Sequence, residues 1–182
     1  MNPVKFMMWA FLVTVTMLFA AFTSALIVSR ADAVAAGKWV FYEMPVMFYI
    51  STTVIALSSA SMQGAYFAAR VNNVSIIRLL LFITFLLGGV FIFLQIEGYR
   101  QLFEQGVTFV GESKAGPFFY VISGMHALHV IGGLFFLIAT LIHAFQYKVH
   151  SKNLLRINVC TTYWHFLGAL WIYLFVILNF FR

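Results

Sequence analysis

The chain has 182 residues, 63% of them hydrophobic and 9% charged, with a mean hydropathy of +0.98. Soluble domains carry about 25% charged residues, so this composition excludes a soluble globular protein and indicates an integral membrane one. The formal net charge of +6 falls at the ends of apolar segments, which marks a membrane-surface feature and not a nucleic-acid footprint.

Windows of about 20 apolar residues predict five spans, near residues 6–28, 44–69, 76–96, 118–145 and 158–181. Uninterrupted apolar runs point to helices, because barrel strands would be about 10-residue segments of alternating polarity. The expected fold is an all-α integral membrane protein, one bundle and one domain over residues 1–182, with five transmembrane helices. Connections of at most about 20 residues force sequence neighbours to pack antiparallel.

The first run, Phe6–Val28, follows a weakly basic Met1–Lys5 and outlasts the roughly 7–15-residue core of a secretory signal, which predicts a retained helix. The second, Met44–Ala69, is polar for its depth, with Ser51, Thr52, Thr53, Ser58, Ser59, Ser61 and Gln63. Hydroxyls return hydrogen bonds to carbonyls of the preceding turn, as in a helix buried in protein. A polar pathway for protons or substrate would use the same residues. The third run carries Gly88–Gly89 and ends at Gln95 and Glu97. Glu97 is placed either to pair with Arg100 across one turn or, entering the bundle from its end, to serve a proton relay.

The fourth run holds His126 and His129 among Gly124, Gly132 and Gly133, and the fifth holds Tyr163, Trp164 and His165. Those five glycines are expected to let helices approach closely. Pro45 and Pro117 stand at helix starts, where a missing N–H costs nothing. Trp9, Trp39, Tyr42, Tyr147 and Tyr163 stand near span ends and are expected to form an interfacial belt. The single cysteine, Cys160, precludes an intrachain disulfide and reads as a small packing residue.

With the N-terminus on one side, Lys5, Arg70, Arg78, Lys148, Lys152 and Arg156 share that side. Opposite them stand Arg30, Lys38, Arg100, Lys114 and Arg182, together with Asp32, Glu43, Glu97, Glu104 and Glu112. The slight excess of Lys and Arg beside the N-terminus predicts a cytoplasmic N-terminus and an outside C-terminus.

Histidine at membrane depth is costly and usually faces the bundle interior or a cavity. Three uses of His126, His129 and His165 compete. His129 and His143 are about 21 Å apart along one helix, a separation suited to two haem levels, yet His150 falls in a loop and the fifth span offers only His165 as a facing ligand. A zinc or copper site needs three or four convergent donors, and no carboxylate or thiol completes a set with the three imidazoles. The favoured use is structural: a hydrogen-bonded cluster of His126, His129 and His165 with Tyr163 and Trp164 around it, bonding also to Ser123 and Thr162. No cofactor or metal is then expected in this chain.

The stretch SGMHALHVIGGLFFL, residues 123–137, resembles the penultimate helix of subunit III of haem–copper cytochrome c and quinol oxidases. The block Tyr163–Trp164–His165–Phe166 followed by Leu170–Trp171 resembles that family's last helix. Ser51–Thr52–Thr53 with Leu57–Ser58–Ser59, and Gln95 with Tyr99, resemble two earlier segments in the same order. The resemblance implies a non-catalytic bundle that packs beside the catalytic subunit I and other oxidase subunits in the bacterial inner membrane. It further implies bound phospholipid, support for proton uptake, and haems and copper held by partners. Five helices match the shorter bacterial forms.

Two positions depart from the family pattern. The family's buried glutamate falls near Val15, and no acid lies between Phe6 and Val28; a second glutamate aligns with Gly98, one position after Glu97. A subunit III-like partner of a nitric oxide reductase would share these motifs, and a haem-ligating membrane cytochrome b is the rival with its own cofactor. A small transporter using the hydroxyl-rich second span is the third rival, without the inverted repeat or interrupted helix pair that transporters use. No residue here distinguishes cytochrome c from quinol as donor, or a free oxidase from one in a larger respiratory supercomplex.

Overall fold

The computed structural model describes residues 3–39, 41–110, 115–146 and 154–181. Glu112, Lys114, Tyr147, Lys148, His150, Lys152 and Arg182 lie outside the described residues. Five helices run through the rest: α1 (Pro3–Ala35), α2 (Val46–Arg70), α3 (Val74–Glu104), α4 (Ala115–Phe145) and α5 (Leu155–Phe180). All five are long and apolar enough to cross a membrane.

The helices overrun their apolar windows. At 33 residues, α1 is about 50 Å long, against a hydrocarbon core of about 30 Å, so its last turns project into the headgroup zone. Helical backbone continues wherever its hydrogen bonds do, and apolarity marks only the part in hydrocarbon. The polar end of α3 is held by Arg100, which pairs with Glu97 at 3.9 Å and Glu104 at 3.4 Å, the spacings that support exposed helix ends.

Between α2 and α3 the turn is three residues, 71–73. Asn72 takes the left-handed conformation at φ 58°, which asparagine tolerates, and the Asn73 side chain caps α3 by accepting from Ile76 N at 3.2 Å. That tight connection lays α2 and α3 antiparallel. The pairs α2–α3, α3–α4, α4–α5 and α5–α2 close a four-helix ring, and α1 lies outside it against α4 and α5. α5, which touches α1, α2 and α4, has 44% of its apolar window buried, against 28% in each other helix.

Trp164 and Trp171 of α5 fill the ring with Phe48, Phe91 and Phe119, each at most 1% exposed. The Trp164 indole occupies space left by two glycines. A Cβ at Gly88 would stand 2.9 Å from its Cη2 and 2.8 Å from Leu134 Cδ2; one at Gly133 would stand 3.3 Å from its Cζ3 and 2.9 Å from Leu167 Cδ1. Gly89, Gly124 and Gly132 have nothing within 4 Å of an added Cβ, so the close approach expected of five glycines falls to two. Their helix phase explains the split, since neighbours in sequence point about 100° apart.

The expected aromatic belt is also thinner. Trp9 is 57% exposed, whereas Trp39, Tyr42 and Tyr163 are 7–8% exposed and belong to the core. At the end that holds the start of α1, Arg78 reaches the last turn of α4, donating to Ala144 O and Phe145 O at 3.3 Å each, with its guanidinium 4.9 Å from the Phe145 ring centroid. Those carbonyls have no partner within their own helix, and a cation there also meets the negative end of the helix dipole.

Candidate functional site

Polar side chains inside the bundle fall into two groups. The first is a seam along α2. Ser58 donates to Thr84 O of α3 at 3.3 Å and accepts from Trp164 Nε1 of α5 at 3.0 Å, so one hydroxyl joins three helices. Ser61 donates to Leu80 O at 3.0 Å. One turn and a half toward the other end, Thr52 accepts from Trp171 Nε1 at 3.0 Å, and Ser51 accepts from Gln95 Nε2 at 2.8 Å. Thr52, Ser51 and Thr53 also return their own protons to carbonyls of the preceding turn.

Along this seam Trp164 and Trp171 are seven residues apart, and their acceptors Ser58 and Thr52 six. Seven residues are close to two helical turns, so the two indoles project from one face of α5, and antiparallel α2 meets that face with Ser58 opposite Trp164 and Thr52 opposite Trp171. Sequence reasoning placed Trp164 in a histidine cluster and missed both indole–hydroxyl pairs. The seven-residue spacing of the two tryptophans on α5 was the available signal.

Imidazoles make up the second group, and they do not gather. His126 is fully buried, stacked on Trp171 at 5.2 Å and edge-on to Phe19 and Phe91 at 6.3 and 6.2 Å. Neither of its nitrogens has a hydrogen-bond partner. His129 donates from Nδ1 to Met125 O of its own helix at 2.7 Å, and its ring meets Phe19 at 5.6 Å. Tyr163 bonds the backbone carbonyl of His129, at 3.0 Å, and not its ring. His143 repeats the local pattern with Ala139 O at 2.7 Å.

His165 is elsewhere, on the face of α5 turned to α2. Its Nε2 donates to Gln63 Oε1 at 2.8 Å, which leaves Nδ1 to accept from the Ser59 hydroxyl. A single cluster of His126, His129 and His165 is therefore absent, and the bonds expected to Ser123 and Thr162 are not made. Those two hydroxyls donate to Phe119 O and Asn158 O of their own helices. Ser59 and His165 line one wall of a groove of about 340 Å³ between α2 and α5, otherwise bounded by small and aliphatic residues such as Ala56 and Gly168.

Gln95 and Glu97 part company for the same rotational reason. Gln95 is 2% exposed and bonded to Ser51, its Oε1 left without a partner. The Glu97 carboxylate sits outside with Arg100. Gly98 has a physical occupant next to it: a Cβ there would stand 2.7 Å from Phe48 Cζ, so the Phe48 ring fills the room a longer side chain would need. Val15, 3% exposed on α1, puts a branched apolar side chain where the family pattern has an acid. Among the described residues no three His, Cys, Asp or Glu side chains converge, and Cys160 is a buried free thiol.

What this arrangement does chemically is hold helices. Most polar groups in the seam make at least one hydrogen bond to a neighbouring helix. A sequence profile of the cytochrome c oxidase subunit III family matches residues 1–182, the whole chain. The chain is 30% identical to cytochrome c oxidase subunit 3 of Corynebacterium diphtheriae, over 90% of its own length and 81% of that protein's. It is 34% identical to probable cytochrome c oxidase subunit 3 of Mycobacterium bovis, over 84% and 76%. Against cytochrome bo(3) ubiquinol oxidase subunit 3 of Pseudomonas aeruginosa it is 29% identical, over 93% and 80%. With five membrane-crossing helices and a full-length match, this chain belongs to the cytochrome c oxidase subunit III family.

Proposed function

We propose that this chain is the accessory, non-catalytic subunit of a bacterial haem–copper terminal oxidase, the complex that reduces oxygen to water and moves protons across the inner membrane. It packs directly against subunit I, with its N-terminus in the cytoplasm, and it carries no haem or metal of its own. It contributes a rigid wall that keeps subunit I, its lipids and its proton-uptake surface in place. The observation that carries this reading is the use of the bundle's polar groups: Ser51, Ser58, Ser59, Thr52 and Gln63 are spent on Gln95, Trp164, His165 and Trp171. A bundle so cross-braced suits a scaffold better than a moving transporter.

Purification through a tag on this chain tests it. The expected result is co-elution of oxidase subunits, identified by mass spectrometry, with haem absorbance that disappears once subunit I is stripped away. Haem in a pyridine haemochrome assay of the stripped chain would overturn the reading, because the chain would then be a cytochrome itself.

A further inference from the structure

The hydroxyl seam ties α2, α3 and α5 together, and the buried polar side chains of α4 take no part in it. Ser123 and Thr140 give their protons to carbonyls of their own helix, and neither nitrogen of His126 has a partner. Yet the His126 imidazole lies in the same layer as the seam. It stacks on Trp171 at 5.2 Å and meets Phe91 at 6.2 Å. Trp171 bonds Thr52 of α2, and the adjacent Ser51 accepts from Gln95, which is one turn from Phe91 on α3. Gln95 Oε1 is also buried without a partner. His126 is fully buried and Gln95 is 2% exposed.

Whichever tautomer it adopts, a neutral imidazole carries one N–H donor and one acceptor nitrogen. Two helices therefore bring a donor and two acceptors to one layer, unbonded to each other, and unmet polar groups in a core are costly. No side chain of the connecting segments reaches so deep. His126 is about 16 Å along α4 from Ala115, Gln95 about 14 Å along α3 from Glu104, and Trp171 about 14 Å along α5 from Phe180. The opposite helix ends are further away. An ion suits the layer poorly, because an imidazole and a carboxamide bring no negative charge, and no three acidic or metal-ligating side chains converge among the described residues. Buried water takes such positions, making two to four hydrogen bonds to polar groups that otherwise lack partners. We infer that a water molecule is bound inside the bundle between His126 of α4 and Gln95 of α3, hydrogen-bonded to the imidazole and donating to Gln95 Oε1. It joins α4 to the seam, so that all four ring helices are hydrogen-bonded in one layer. The site needs only the folded chain and stands apart from the function proposed above.

Electron cryo-microscopy of the complex recovered through a tag on this chain, at a resolution that shows ordered water, tests the site. The wild-type map is expected to hold an isolated peak about 2.7–3.2 Å from both a His126 nitrogen and Gln95 Oε1. Both side chains resolved with no peak between them overturns the inference, and so does a direct bond between the two. His126→Phe keeps a ring against Trp171 and offers no nitrogen. Its map should lack the peak, and its unfolding constant in mixed micelles should rise about fivefold, the worth of one hydrogen bond. A peak that persists in His126→Phe overturns the inference. Stability unchanged or raised in that variant also overturns it, because a dry imidazole gains from losing two unmet nitrogens. The wild-type map decides the matter even if His126→Phe fails to assemble.

Discussion

Ser58 is the residue on which most depends. Its hydroxyl is fully buried and sits between Thr84 of α3 and Trp164 of α5. Side-chain hydrogen bonds between membrane helices average about 0.6 kcal/mol, but removing this hydroxyl also strands the Trp164 N–H in the core, which costs about 1–3 kcal/mol. Ser58→Ala should therefore destabilise by about 2 kcal/mol, the stranding outweighing the bond. The double variant Ser58→Ala with Trp164→Phe should cost less than the sum of the single changes, because the phenylalanine leaves no donor unmet. Unfolding in mixed micelles checks both. The histidines rank differently. His165→Leu strips Ser59 and Gln63 of their partner on another helix, whereas His129→Leu removes a hydrogen bond within its own helix and replaces one apolar contact with Phe19 by another. A larger loss of stability is expected at His165, and equal losses would show that the α2–α5 pair carries little.

At the scale of elements, the distance between helices is set by where glycine meets indole. Gly88→Ala would press a methyl to 2.8–2.9 Å from Leu134 and Trp164, and overpacking of this kind costs about 1–3 kcal/mol. Its sequence neighbour Gly89 has nothing within 4 Å, so Gly89→Ala should be neutral or slightly stabilising through helix propensity. Thermal stability of the two variants separates a contact glycine from a bystander. Gly98 behaves as Gly88 does, with Phe48 as the obstacle at 2.7 Å. Gly98→Glu should accordingly disrupt α2–α3 packing, which gives a steric reason for the absence of the family's acid at this position.

For the whole molecule, the ring of α2 to α5 encloses Trp164 and Trp171 while α1 leans on α4 and α5 alone. Phe19 is the main anchor of α1, fully buried against His126 and His129, with Thr23 bonded to Tyr173 at 2.9 Å. Phe19→Ala should loosen α1 from the ring by about 3–5 kcal/mol, seen as protease sensitivity of the loop at residues 36–45 before the ring unfolds. Cys160, at 1% exposure, offers a reporter of the remainder. It should resist maleimide in the folded protein and react only when the ring opens, and labelling under native conditions would contradict the enclosure of α5.

Five membrane helices, their order and the family were legible from the sequence because each rests on local facts: about 20 apolar residues in a row, and motifs such as SGMHALHV and YWHF that survive intact in one segment. Which polar atoms meet was not legible. Gln95 and Glu97 are two residues apart and face opposite ways; Gly88 and Gly89 are adjacent and only one is in contact. His126, His129 and His165 look alike in the chain and end with no partner, a partner in their own helix and a pair of partners on α2. Apolar run length settles that a helix crosses the membrane. It leaves the helix's rotation undetermined, and rotation is set only when five helices pack and each side chain must find a partner or a gap in another.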